Sequence, residues 1–177
     1  MADMTEFLKE VAAGIEDHLR LYIQTDGGDE AYYRDMGPLG GDPKTKTLVL
    51  KTLGRKSGKP QLAPLIYNTW GDGFIIVASK GGADSQPAWF YNITAAETVT
   101  VQVRDKRYRC TWRIAEGVER ETLWRFMSGY YPPYLEYQAR TDREIPVVLL
   151  TPVAEDSEPF VWRPGEGVDQ RTSSIGG

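Results

Sequence analysis

Apolar residues recur at intervals of three and four near the start of the chain: Met4, Phe7, Leu8, Val11, Ile15, Leu19, Tyr22 and Ile23. That spacing predicts an amphipathic helix over residues 4–23, capped by Thr5 or Asp3, with Glu6, Lys9, Glu10, Glu16, Asp17 and Arg20 on the polar face. Such a helix packs its apolar stripe on a core. Use as a membrane-surface helix or a substrate lid is the alternative, and an acidic polar face argues against anionic lipid. Residues 31–44, broken by Gly37-Pro38, Gly40-Gly41 and Asp42-Pro43, read as an ordered loop. The pattern then shifts toward a period of two. Strands are predicted over 45–53, 62–70 and 74–79, the last two joined by Gly71-Asp72-Gly73. A second hairpin, 99–103 with 108–114, turns at Arg104-Asp105-Lys106, and 145–150 is a late β-branched strand. Helices are predicted at 87–96 and 118–127. Antiparallel hairpins with inserted helices define a barrel-based α+β fold, not a doubly wound parallel sheet.

A chain of 177 residues is most simply one domain. Its net charge of −4 argues against a nucleic-acid partner, because that affinity rests on neutralised phosphates. Cys110 is the single cysteine, so no intrachain disulfide forms, and a reducing cytoplasm fits. The opening MADMTEFLKEV places charges where a secretory signal needs an apolar run, and no stretch approaches the length of a membrane span. Ten tyrosines and five tryptophans favour a site that stacks on something flat, although aromatics are also core material.

Between Asp42 and Asp72 there are no acids, while Lys44, Lys46, Lys51, Arg55, Lys56 and Lys59 fall in that stretch. In Gly54-Arg55-Lys56-Ser57-Gly58-Lys59, glycines allow close backbone approach, Arg55 offers a planar fork, Lys56 and Lys59 are point charges and Ser57 adds a hydroxyl. The spacing is not that of a Walker A loop or a dinucleotide fingerprint. A solvated charged hairpin is the plain reading, and an anion cradle the sharper one. Ala78-Ser79-Lys80-Gly81-Gly82-Ala83, between an apolar strand and a helix, repeats the cradle chemistry. Two cradles suit a ligand with several anionic groups.

Tyr131, Tyr134 and Tyr137 repeat at three beside Pro132-Pro133. On one helix face they would wall a flat substrate and donate protons; alternatively they form a buried stripe. His18 lies on the N-terminal helix, where packing explains it. Cys110 lacks a neighbouring motif and reads as a small buried thiol. No His/Cys cluster has metal-ligand spacing, so no metal is expected. Anion cradles with aromatic walls but no nucleophile indicate chemistry carried by a cofactor.

The segments GRKSGKPxxxPLIY, VASKGGADSQPAWFYN and YPPYLEYQARTDREIPVVLL, in that order from about residue 47 to 152, resemble the actinobacterial deazaflavin-dependent nitroreductase family. The resemblance implies a split β-barrel and a cytoplasmic oxidoreductase that passes hydride from reduced coenzyme F420 to a quinone, activated alkene or nitroaromatic. It implies that Arg55, Lys56, Ser57, Gly58, Lys59, Lys80 and Gly81 hold the coenzyme tail. Pro64, Ala78 and Ser79 lie near its ring, and Ser79, Tyr131, Tyr134 and Tyr137 serve the acceptor. Trp89 and Asn92 support the cradle. Residues 1–44 form the helix and a pocket-shaping loop, 45–163 the barrel and 164–177 a flexible tail. Gln61 stands where some relatives have Arg, and Ile66, beside Tyr67, where nitroreductive members have Tyr, which puts bicyclic nitro compounds in doubt. An FMN-binding split barrel and a non-catalytic F420 carrier are the rival readings, and the first helix leaves a peripheral membrane contact open.

Overall fold

The computed structural model describes residues 4–163, with side chains from residue 13 onward. The expected 164–177 tail lies outside the described residues, as do the side chains of Met4, Phe7, Leu8 and Val11. Helix α1 (Met4–Gln24) matches the predicted amphipathic segment, and its Leu19 and Tyr22 are fully buried. A short α2 (Asp29–Tyr32) and a two-residue strand β1 (Tyr33–Arg34) follow, the helix running into the 31–44 span expected to be loop and the strand lying within it. The strand forms there because it pairs antiparallel with the first residues of β2 (Thr45–Leu53), as Tyr33↔Lys46 and Arg34↔Thr45.

The remaining elements are β3 (Pro60–Ile66), β4 (Asn68–Trp70), β5 (Gly73–Val77), α3 (Ala88–Thr94), β6 (Thr98–Val103), β7 (Lys106–Ile114), α4 (Gly117–Tyr130), α5 (Pro133–Ala139) and β8 (Val147–Glu155). The sheet runs β1-β2-β6-β7-β8-β5-β4, with β3 on β2, and every pairing is antiparallel. Both predicted hairpins are present. Tight turns close them, helped by positive φ at Gly71 (58°) and Arg104 (57°).

The strand predicted over 62–70 is divided at Tyr67. Residues before it pair with β2 and residues after it pair with β5, so this one length of chain joins two distant parts of the sheet. Tyr67 is buried at the switch, and its hydroxyl meets that of Tyr32 at 2.5 Å. The sheet therefore curls into a split barrel through continuous backbone.

Two cores result. Ile76, Val148 and Leu150 face the interior with Leu48, Leu50 and Val101, whereas Ile75, Val77, Val147 and Leu149 face outward beneath α4 and α5. Covering both faces explains the unbroken apolar run in β8, since strict alternation appears only where one face meets water. The three tyrosines belong to the outer core, packed with Leu123, Met127 and Ile145.

Candidate functional site

The site is built where β5 and β8 meet the α4–α5 corner. After Val77 the chain leaves the sheet, with the Ala78 N–H donating to the Pro146 carbonyl at 2.9 Å. Lys80, Gly81 and Gly82 then take φ values of 47°, 63° and 85°. Left-handed backbone costs a non-glycine residue about 1–2 kcal/mol, so surrounding contacts must hold Lys80 there. Arg143 supplies them. Its guanidinium donates to the carbonyls of Ser79 (2.8 Å), Ala83 (2.7 Å) and Ala78 (3.2 Å) and to Gln86 Oε1 (2.8 Å). Arg140 donates to the Gly81 carbonyl at 3.1 Å, and Thr141 to Asp84 at 2.9 Å. Gly82 lies so close to α5 that a Cβ would stand 2.5 Å from the Tyr137 carbonyl oxygen, which requires glycine.

Within this turn the Ser79 hydroxyl is fully buried and has no hydrogen-bond partner. Leaving such a group unpaired costs roughly 1–3 kcal/mol, so an arriving ligand atom would be welcomed. Ala78 beside it is also fully buried. Lys80 is buried, and its ammonium donates to Ser85 Oγ at 3.1 Å and to the Gln86 carbonyl at 3.4 Å. Gly81 is half-buried.

The first cradle is held from behind by α3. Asn92 accepts the Arg55 N–H at 3.1 Å and donates to Thr52 Oγ1 (3.0 Å) and Gln61 Oε1 (2.8 Å). Gln61, a departure from the family pattern, is thus tied into the turn. Gly54 admits Ser57 and Gln61, which a Cβ would meet at 2.5 and 2.9 Å; Gly58, at φ 69°, faces open space. The Ser57 hydroxyl accepts the Lys59 N–H at 3.2 Å. Arg55, Lys56 and Lys59 are exposed, and Arg55 lies over the Tyr91 ring at 4.9 Å. Among the described residues, none of the six cations between Asp42 and Asp72 forms an ion pair with a carboxylate. Helix α3 therefore starts just after one turn and anchors the other.

Tyr134 and Tyr137 lie on α5, but Tyr131 precedes it, at the end of α4, so the three share a cluster and not one helix face. Their rings stand 4.8 to 6.2 Å apart. The Tyr131 and Tyr137 hydroxyls are 2.9 Å apart. Burial pushes the Tyr131 and Tyr134 phenols far above their ordinary pKa of 10, so both keep their protons at neutral pH. Ile66 and Met36 pack against this cluster, and Pro64 is half-buried in β3 opposite Val49.

His18 is a packing residue. Its Nε2 is 2.7 Å from the Ala31 carbonyl oxygen, and burial first, then the Arg34 charge, lowers its pKa to about 4. Burial pushes the Cys110 thiol up to about 12, which leaves it inert. A polar recess lined by Asp105, Arg107, Glu155 and Ser157 lies at the far end of β8 from Val147. At about 3.4 Å per residue that is roughly 27 Å away along the strand, too far to belong to this site.

Sequence reasoning missed Arg143, Arg34 and Met36. Arg143 sits in the quoted TDREIP stretch, but its partners lie 57 to 65 residues earlier, beyond any local pattern.

The chain's fold recurs in solved structures. A chain described as an F420-H2 dependent reductase is 43% identical, covers 59% of this chain and 92% of its own, and superposes with a TM-score of 0.55. Another, described as a domain-swapped dimer, is 35% identical over 84% of this chain and 99% of its own, with a TM-score of 0.58. A curated F420H(2)-dependent quinone reductase of Mycobacterium tuberculosis is 37% identical over 108 residues, 59% of this chain and 72% of that protein. The F420H(2)-dependent quinone reductase family profile matches residues 27–152, and the chain belongs to that family. It is an F420H2-dependent oxidoreductase with the split-barrel fold that its motifs imply.

The residues present fit that coenzyme. The first turn offers unpaired exposed cations and open backbone for a polyanionic tail, and the second offers a buried, partnerless hydroxyl beside small Ala78.

Proposed function

We propose that this chain reduces a quinone, with the coenzyme tail on the Arg55–Lys59 turn, the ring against Pro64, Ala78 and Ser79, and the acceptor on the tyrosine cluster. When bound, the reduced deazaflavin supplies a hydride. The protein's part is to position and to stabilise charge. Arg55, Lys56 and Lys59 attract the tail, and Ser57 and Gly58 let it approach. The turn clamped by Arg143 aims the Ser79 hydroxyl at the reacting face. A hydroxyl already fixed and dry stabilises developing oxyanion charge without reorganising. Tyr131 and Tyr137 share a hydrogen bond that can relay one proton to the reduced acceptor, and Tyr134 packs the wall behind them.

The orphaned Ser79 hydroxyl carries this reading, because nothing in the fold itself satisfies it. The test is titration of the purified chain with F420, followed by stopped-flow oxidation of F420H2 with menadione. Ser79→Ala should slow hydride transfer by about 10²-fold, the scale of one lost oxyanion donor, with a small change in F420 affinity. Wild-type turnover in S79A would refute it. Quinone reduction requires no spanning segment, and among the described residues no helix is long and apolar enough to cross a membrane. Liposome flotation tests the peripheral contact expected of α1.

A further inference from the structure

The tyrosine cluster is almost closed to solvent. Tyr131 is 1% exposed, Tyr134 3% and Tyr137 8%, so Tyr137 is the ring of the three most open to an arriving molecule. Arg140 lies against it. This residue caps α5 three positions after Tyr137, on the same side of the helix. Its guanidinium carbon is 5.4 Å from the centre of the Tyr137 ring. Nη1 donates to the Gly81 carbonyl at 3.1 Å. The backbone beneath is fitted as closely, since a Cβ on Gly82 would stand 3.1 Å from the Arg140 Cβ. Arg140 thus touches both the turn that carries Ser79 and the phenol wall.

The cations around it are committed elsewhere. The Arg143 guanidinium is occupied by the carbonyls of Ala78, Ser79 and Ala83 and by Gln86. The Lys80 ammonium points to Ser85 and Gln86 and is buried. Arg140 is exposed, and its Nε and Nη2 have no protein acceptor among the described residues. Nor does any carboxylate there pair with it. Two carboxylates belong to this corner: Asp84 accepts from Thr141 at 2.9 Å, and Glu136, one turn earlier on α5, forms no ion pair with Arg140. One exposed hydrogen bond and one exposed ring contact are each weak. They leave a full positive charge with open donors at the seam between the two surfaces.

We propose that Arg140 is a specificity-determining residue at the rim of the acceptor site, where it favours quinones that carry an anionic substituent such as a carboxylate or sulfonate. This rests on the acceptor placement proposed above. The partner of Arg140 is a charge that the acceptor carries throughout, distinct from the transient oxygen charge met by Ser79. A guanidinium stacked on a ring still presents its in-plane N–H groups, and these suit a planar or tripodal oxyanion group. Because the residue is exposed, the preference is moderate and weakens with salt.

Equilibrium dialysis of the F420-loaded protein against two quinones tests this apart from turnover. 1,4-Naphthoquinone-2-sulfonate carries a permanent charge, and menadione has a methyl group at the same position. Arg140→Gln, which can still donate to the Gly81 carbonyl, should weaken the sulfonate by about fivefold at low salt, the scale of one exposed ion pair. Menadione should weaken by less than about 1.5-fold. High salt should weaken sulfonate binding in the wild type and change it little in R140Q. Arg140→Lys should keep that salt dependence. F420 affinity, measured by fluorescence, should be unchanged in both variants. Equal loss of both quinones in R140Q would make Arg140 a prop of the Gly81 turn and overturns the proposal, as does no loss of either. A fall in F420 affinity with both quinones unaffected would assign the charge to the coenzyme and also overturns it. So does a wild type that binds F420 but shows no salt-sensitive binding of the sulfonate. A wild type that binds no F420 refutes the underlying reading and this one with it.

Discussion

Asn92 accepts the backbone N–H of Arg55 at 3.1 Å, so a helix that begins just after the second anion turn fixes the shape of the first. The same side chain donates to Thr52 and Gln61, and it is almost fully buried. The two turns proposed to take the coenzyme tail and ring are thereby held in one frame, although they begin more than twenty residues apart in the chain.

Asn92→Ala should therefore harm both stability and binding. It leaves the Arg55 N–H and the Thr52 and Gln61 side chains without this partner, at a cost of about 1–3 kcal/mol in urea unfolding. The loosened turn should weaken F420 by about tenfold in a fluorescence titration. A stability loss with unchanged affinity would show that α3 merely packs behind the turn.

Lys56 and Lys59 should behave in the opposite way. Both are exposed and without carboxylate partners among the described residues, so replacing both with Gln should alter stability by less than about 0.5 kcal/mol. F420 affinity should fall, and its dependence on ionic strength should flatten, because exposed charges act through a screened field. Titrations at low and high salt read both effects. An unchanged salt slope would place the tail elsewhere.

The contrast between these positions shows what was legible in the sequence. The cation run and the two glycine turns are local patterns, and both turns form where the sequence located them; the tyrosine repeat gathers its three rings, but across the α4–α5 corner and not on one helix face. Strand partners were not legible. The apolar run 62–70 has no residue that marks Tyr67 as the point of exchange from β2 to β5. The fourteen residues 31–44 looked like loop because two residues of strand carry no periodicity, yet Tyr33 and Arg34 pair with the start of β2. Arg143 was invisible for a related reason. Three of its four partner groups are backbone carbonyls, which every sequence contains.

Arg143→Lys tests how far the second turn depends on that fork. A lysine keeps the charge but cannot span carbonyls of Ala78, Ser79 and Ala83 at once. At about 1 kcal/mol for each net hydrogen bond, the loss should be about 2–4 kcal/mol by urea denaturation. Amide hydrogen exchange should accelerate at residues 79–83, where Lys80 is held in a left-handed conformation. Exchange unchanged there would assign the clamp to Arg140 and Gly82 instead.

His18 gives the protein an acid limit that can be measured. In the folded state its pKa is about 4, against an ordinary 6.5, with burial the larger cause and Arg34 the second. The folded state therefore favours the neutral ring. Its stabilising contribution is complete above pH 6.5 and is lost as pH falls toward 4, because the unfolded chain then takes up a proton that the folded chain refuses. Each pH unit in that window removes about 1.4 kcal/mol, for roughly 3 kcal/mol in all. Carboxylates titrate in the lower part of the same window, so the useful quantity is the difference from His18→Gln, which can still donate to the Ala31 carbonyl but does not titrate. Urea unfolding from pH 7 to pH 4 should show wild type losing about 3 kcal/mol more than H18Q. Parallel stability curves would mean that the ring is protonated in the folded protein, which the nearby Arg34 charge opposes.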